Sequence, residues 1–329
     1  MVRTVRARRL PTTRPARPAR VALGRSRRSG PPPPARERFL GTDRYRADRE
    51  WQRYEGTAQR DLFLELRQRF LSRHRPAARR VLDVGSGPGR FTARLGAGPG
   101  VRRVALDIGW EMLVQLRGHW PASASPVLLP DLVRGDAVRP PFASESFDLV
   151  AGLGNLLGFA GQESDRLFEG LLRLLAPGGT LLLEVAPGPG ERSRYLHRLP
   201  TTGLARLLRS PPRWVAARVE REGFTEEPRR RKDPGEFRRV VPEELRDRLV
   251  QRGYRVEEIL AVAPALGPDP ARAGAVERDP KAWTHLLELE EALGRVPDRW
   301  SPAAAVLVAA TAPTNALYEP DSPNPRSEG

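Results

Sequence analysis

Between positions 81 and 91 the chain reads Val81-Leu82-Asp83-Val84-Gly85-Ser86-Gly87-Pro88-Gly89-Arg90-Phe91. Glycines at this spacing let a chain turn tightly and bring backbone amides close to a small molecule at the carboxyl end of a strand. A second acid, Asp107, follows Gly85 by 22 residues. At the end of a second strand, such an acid can accept both hydroxyls of a ribose. The loop is not a dinucleotide fingerprint, because Arg90 stands where the third glycine of G-x-G-x-x-G is required. Nor is it a phosphate loop, since no Gly-Lys-Ser/Thr follows. Asp83 would repel a pyrophosphate and attract an ammonium group. The pattern asks for a ligand with a ribose, a cationic amino-acid end and no phosphate; adenosine joined to methionine through a sulfonium has all three. Each residue also has a plainer reading: the glycines as a tight turn, Asp107 as a helix cap and Asp136 as a loop brace. Their joint spacing favours the ligand.

With Val81 to Gly89 as a first motif, Ala105-Leu106-Asp107-Ile108 followed by Met112-Leu113 forms a second. Gly135-Asp136-Ala137, Phe147-Asp148-Leu149-Val150 and Leu174-Leu175-Ala176-Pro177-Gly178-Gly179-Thr180 follow in order. Over residues 81–185, and more loosely to 310, the chain resembles the class I S-adenosylmethionine-dependent methyltransferases, in particular small-molecule enzymes with a type 11 or 25 domain. The resemblance implies S-adenosyl-L-methionine as cosubstrate. It implies that Gly85, Gly87 and Gly89 line the methionine end, with Asp83 toward the amino group directly or through water. Asp107, with Ile108 beside it, would hold the ribose; Asp136 would accept from the exocyclic amine of adenine, and the Ala137 backbone would meet the ring. Asp148 reads as a structural residue of the sheet.

Methyl transfer from a sulfonium needs positioning and exclusion of water more than a conspicuous catalytic dyad, so the acceptor side is less legible. The segment from Ala151 to Phe159 would lie across the donor's methyl. It lacks the Asp/Asn-Pro-Pro-aromatic motif used on nucleobase amines, and the chain has no cysteine for a covalent route to a pyrimidine carbon. Catalytic residues stay open, with Asn155, His197 and Tyr54 as candidates. Asn155 would orient an acceptor or make a turn. His197 lies in the expected acceptor region. Tyr54, with Tyr45 and Trp51, would close over the site or simply pack, while Tyr195 and Trp214 would wall it. His74, His119 and His285 read as structural or exposed. Without H-E-x-x-H or clustered His/Asp spacing, no metal site is expected.

Short apolar strands alternating with helices predict an α/β fold: a Rossmann-like, seven-stranded, mostly parallel sheet with an antiparallel last strand, helices on both faces and an amino-terminal helical cover. Strands are expected at 80–84, 103–106, 127–132, 147–151, 180–185, 254–262 and 304–310. Helices are expected at 90–95, 111–119, 165–175, 242–252 and 283–293. The domain boundaries are a tail at 1–38, a helical cover at 39–75, a methyltransferase domain at 76–312 with a pocket-shaping insertion at 186–240 and a helical one at 264–300, and a frayed end at 313–329.

The 329 residues carry 56 Lys+Arg against 40 Asp+Glu, a formal charge of +16. Residues 1–30 hold ten arginines and no acid, so the remainder is only mildly basic. The tail's prolines and lack of aromatics read as a disordered appendage and not as a stacking platform for nucleic acid. No apolar run reaches the roughly 20 residues a membrane helix needs, so a soluble, cytoplasmic protein without a membrane partner is expected. The oligomeric state is left open. The function read from the sequence is methyl transfer from S-adenosylmethionine to a small-molecule acceptor at O, N or C. The alternatives are an RNA acceptor, a donor-binding protein without turnover, and an NAD(P)-dependent oxidoreductase, which Arg90 and Asp83 disfavour.

Overall fold

The computed structural model describes residues 58–74, 78–96, 100–120, 128–188, 190–226, 238–267 and 270–314. The expected tail, Tyr45, Trp51, Tyr54 and the stretch after 314 lie outside these residues.

Seven strands form one sheet: β1 (Arg80–Val84), β2 (Arg102–Asp107), β3 (Asp131–Arg134), β4 (Phe147–Gly152), β5 (Leu175–Val185), β8 (Arg255–Ala261) and β9 (Val306–Thr311). Their order is β3-β2-β1-β4-β5-β9-β8. Pairs from β3 to β5 are parallel, and β9 runs antiparallel to both neighbours. The reversed last strand is thus as expected. The chain leaves β1 toward β2 and β3, then returns to β4 on the other side. This reversal opens a crevice at the carboxyl ends of the parallel strands, where open α/β sheets place ligands.

The central strands are apolar on both faces because helices cover both. On one face, Val81, Leu149, Ala151, Leu182 and Leu307 join Leu62, Leu66 and Phe70 of α1 (Ala58–Arg73). On the other, Leu82, Val84, Val150, Leu181 and Leu183 join Phe168 and Leu171 of α4 (Ser164–Leu174). Between them in sequence lie α2 (Trp110–His119) and α3 (Leu156–Phe159). Each fully buried Leu or Phe on α1 contributes roughly 1.5–3 kcal/mol by leaving water. This helix, expected as a cover, is built into the layer against the sheet.

Several boundaries differ from expectation. The helix expected at 90–95 is only a 3₁₀ turn, Thr92–Arg94, closed by Leu95 in an extended conformation. Its short length leaves Thr92 buried against β1. The third strand begins at Asp131 and not at 127. The insertion after β5 folds into a two-stranded ribbon of β6 (Glu191–Ser193) and β7 (Phe224–Glu226), enclosing α5 (Arg194–Arg198), α6 (Thr201–Leu207) and α7 (Pro212–Glu222). After α8 (Pro242–Gln251) and β8 comes α9 (Pro270–Glu277), which the sequence reading lacked, and then α10 (Pro280–Gly294). Pro280 stands at the start of α10, and the Asp279 carboxylate accepts from the Ala282 amide at 3.2 Å, a regular N-cap. Asp148 clamps the starts of the adjacent central strands β1 and β4 by accepting from the Arg79 and Arg80 amides and the Arg80 guanidinium. That is the structural role expected of it.

Candidate active site

The glycine turn begins where β1 ends. Gly85, Gly87 and Gly89 take φ values of 66°, 53° and 82°, a region that costs a side-chain-bearing residue strain. At Gly89 a Cβ would also stand 2.3 Å from Leu116 Cγ on α2, so the turn sits directly on that helix. At Gly87 a Cβ would meet nothing within 4 Å. The turn therefore faces open space at Gly87, while Gly85 and Gly89 pack against Leu156 and Leu116.

Asp107, at the end of β2, ties the turn to the neighbouring strand. Its Oδ2 accepts from the Gly87 amide at 2.8 Å and its Oδ1 from the Gly109 amide at 2.8 Å. The Gly85 amide in turn donates to the Leu106 carbonyl at 2.7 Å. Asp107 thus braces the glycine turn and the turn after β2; it is not the N-cap of α2, the role its plainer reading gave it, since that position is Gly109 and carries no side-chain cap. Each carboxylate oxygen can accept more than one hydrogen bond.

Asp83 is 4% exposed and points to the face of the sheet shared with Val81 and α1. The Thr92 hydroxyl donates to its Oδ2 at 2.6 Å. Burial pushes the Asp83 carboxyl up to about 7; the Thr92 hydrogen bond opposes the shift, and the negative charge of Asp107 adds to it. The charge of Asp107, at the end of the neighbouring strand β2, thus bears on Asp83. A cation placed between them would relieve both the desolvation of Asp83 and the repulsion.

Asp136 follows β3 at the same edge of the sheet. Its Oδ1 accepts from the Val138 amide at 3.0 Å, fixing the turn that carries the half-buried Ala137. Ile108 is half-buried beside Asp107, and its carbonyl accepts from Arg134 Nε at 3.4 Å. The parallel topology thus brings Asp83, Gly85, Gly87, Gly89, Asp107, Ile108, Asp136 and Ala137 to one end of the sheet.

The acceptor-side candidates divide. Asn155 has φ 65°, and its Oδ1 accepts from the Ala186 amide at 3.0 Å, so it staples the turn after β4 to the end of β5. His197 lies exposed in the last turn of the short α5, and Trp214 is 65% exposed on α7. Tyr195 packs under the Arg218 guanidinium. His285 Nδ1 lies 2.9 Å from the Leu208 carbonyl, and His74 Nε2 lies 2.6 Å from Glu258, both tertiary braces. Among the described residues, no group of three or more acids or histidines could hold a metal ion, and no helix is long and apolar enough to cross a membrane.

Two features escaped the sequence reading. Thr92 is one; nothing in its position nine residues after Asp83 announces a partner. The other is Glu184, near the end of β5, which is 6% exposed and forms a buried ion pair with Arg67 of α1 at 2.6 Å. A charged residue amid Leu181-Leu182-Leu183 and Val185 was the available signal.

Residues 81–179 match a family model described as a methyltransferase domain. The matched residues run from β1 through the start of β5 of this sheet and so mark that stretch as a methyltransferase domain. Over 111 residues the chain is 39% identical to the biotin biosynthesis bifunctional protein BioHC of Cellvibrio japonicus, covering 34% of this chain and 20% of that one. Over 129 residues it is 35% identical to the ubiquinone/menaquinone biosynthesis C-methyltransferase UbiE of Roseobacter denitrificans, covering 36% and 48% respectively. The matches thus span about half or less of these relatives. Among solved structures, the magnesium protoporphyrin IX methyltransferase of Synechocystis PCC 6803 aligns with 86% of this chain and all of its own, at 11% identity and a TM-score of 0.48.

Proposed function

We propose that the protein transfers the methyl group of S-adenosylmethionine to a small-molecule acceptor. The observation that carries this reading is the placement of buried Asp83 and of Asp107 on either side of a glycine turn that is open at Gly87. It suits a cationic ligand without phosphate, and S-adenosylmethionine supplies such a ligand together with a methyl group already activated on sulfur. In this reading Asp83, once ionised, holds the ammonium end. The amides and open space of the glycine turn receive the methionine backbone, and Asp107 accepts from the ribose hydroxyls while continuing to brace Gly87. Asp136 and the Ala137 backbone face the adenine, and Ile108 flanks it. The turn after β4, fixed by Asn155, bounds the methyl side and excludes water. No side chain is assigned as a base; an activated donor does not demand one when the acceptor is already nucleophilic.

A small-molecule acceptor is supported by the absence of an Asp/Asn-Pro-Pro-aromatic motif after β4 and by the relatives, whose names place them in biotin and quinone biosynthesis. The reading is tested by isothermal calorimetry with S-adenosylmethionine, followed by a metabolite extract supplied with methyl-labelled donor. Binding is expected, and Asp107→Ala should weaken it by roughly 10- to 100-fold, the equivalent of a charged hydrogen-bonding pair lost. Binding of NADH in place of the methyl donor would overturn the assignment. Label appearing only in RNA would keep the donor and replace the acceptor.

A further inference from the structure

Arg67 and Glu184 are both nearly buried, at 7% and 6% exposure, and meet through a two-pronged ion pair: Arg67 Nη2 to Glu184 Oε1 at 2.6 Å, and Arg67 Nε to Oε2 at 3.1 Å. The remaining prong, Nη1, donates to the Phe63 carbonyl one turn back on α1 at 3.1 Å. If holding α1 to the sheet were the only need, apolar packing would serve as well, because a buried ion pair forfeits much of its attraction to desolvation. Glu184 does something that an apolar residue cannot. Its Oε2 also accepts from the Gly154 amide at 3.3 Å.

Gly154 and Asn155 are consecutive residues at φ 71° and 65°, so the chain reverses sharply after β4. Two hydrogen bonds to the end of β5 fix this reversal: the Gly154 amide donates to Glu184, and Asn155 Oδ1 accepts from the Ala186 amide. The next residue, Leu156, lies against the glycine turn so closely that a Cβ on Gly85 would stand 2.7 Å from its Cδ1. A continuous set of contacts therefore runs from α1 through Arg67, Glu184 and Gly154 to Leu156 and Gly85.

We propose that Arg67 and Glu184 form a positioning pair that sets the turn after β4, and through it the wall on the methyl side of the site, according to how α1 is seated. This rests on the proposed methyl-transfer reading for what the wall does, but not for the coupling itself. Arg67 fixes both carboxylate oxygens in direction, and the carboxylate then holds one amide of a strained turn. Loss of Arg67 would remove the two-pronged contact that orients the buried Glu184 carboxylate, and with it the direction from which the Gly154 amide is held.

The test compares Arg67→Met, Glu184→Gln and the double variant Arg67→Met/Glu184→Leu with the full-length protein. The double variant removes both charges and refills the space with apolar atoms, so it should fold near the wild-type unfolding temperature. Its Gly154 amide, followed by hydrogen exchange, should nevertheless exchange at least tenfold faster. S-adenosylmethionine affinity should stay within about threefold, while transfer of labelled methyl into a metabolite extract should fall at least tenfold. Glu184→Gln, which keeps an acceptor for Gly154, should retain more transfer than the double variant and guards against a folding failure. Wild-type Gly154 exchange and wild-type transfer in the double variant would overturn the proposal, as would a parallel loss of donor affinity. If the wild-type protein bound no S-adenosylmethionine, the functional reading would fail, and the exchange rate of Gly154 in Arg67→Met would still decide the coupling.

Discussion

At the scale of single residues, Asp83 is the costly one. An acid raised by burial to about 7 from its ordinary value of 3.8 holds its proton in the folded chain at pH values where the unfolded chain has released it. Folded stability therefore falls as pH climbs from about 4 to about 7 and levels off above, with a span on the order of a few kcal/mol. Glu290 adds to the same slope: it is fully buried, lies at about 7, and is held by the Ala265 and Leu266 amides at 2.7 Å each. Glu258 acts in another window. Its hydrogen bonds to His74 and Arg73 outweigh its burial and hold it near 2, so the stability it confers is present above about 4.5 and lost as pH falls toward 2. We expect Asp83→Asn, which removes the charge but keeps an acceptor for Thr92, to raise the unfolding temperature at pH 8 and to flatten its decline between pH 5 and 8. The same substitution should weaken S-adenosylmethionine binding at least tenfold. Thermal melts across that pH range, beside calorimetry, check both. Such residues were legible to different depths. Asp83 and Asp107 could be singled out because one acid stands two residues before the glycine turn and the other 22 residues after Gly85, a spacing that puts both at neighbouring strand ends. The brace from Asp107 to Gly87 and the Thr92 hydroxyl were not legible, since both depend on how neighbouring strands are staggered.

At the scale of elements, the glycine turn is fixed from above by α2 and from the side by α3. Gly89 is where this matters most, because its φ of 82° and the 2.3 Å approach of Leu116 Cγ leave neither conformation nor room for a side chain. We expect Gly89→Ala to destabilise the fold by about 2–4 kcal/mol, combining left-handed strain with overpacking, and to reduce donor affinity. Gly87→Ala should cost only the strain, since a Cβ there meets nothing within 4 Å. Denaturant melts of the two variants would separate these terms. The strands were legible because the central ones are continuous apolar runs, and α10 was legible from its apolar periodicity. The turn at Thr92–Arg94 looked like a helix because sequence periodicity does not reveal that the residue after Arg94 turns back into an extended conformation. The short α9 carries few large apolar residues, so its burial under α1 and α6 left little trace in the pattern.

At the scale of the whole molecule, the chain brings the residues proposed to bind the donor from the ends of three adjacent strands and adds its own layer of helices on one face. The domain matched at 81–179 supplies the first. The helix α1 before it and the insertions after β5 and β8 supply the second, and we propose that they distinguish the acceptor. This division explains why the donor can be read from the sequence and the acceptor cannot: the former depends on short motifs in fixed order, the latter on packing among segments far apart in the chain. The stretch at 1–30 adds ten arginines and no acid, with no aromatic residue and few large apolar ones. Removal of residues 1–38 should therefore leave the unfolding temperature within about 2 °C and S-adenosylmethionine affinity within about twofold, as thermal melts and calorimetry would report.

The central claim is that the crevice between Asp83 and Asp107 takes a cationic amino acid joined to a nucleoside. Calorimetric titration of the wild-type protein with S-adenosylmethionine between pH 5.5 and 8.5 tests it most directly. Affinity should rise toward pH 7 as Asp83 ionises and fall again above about 8 as the ligand's amino group loses its proton. A flat profile, or no binding beside clear binding of NADH, would contradict the account.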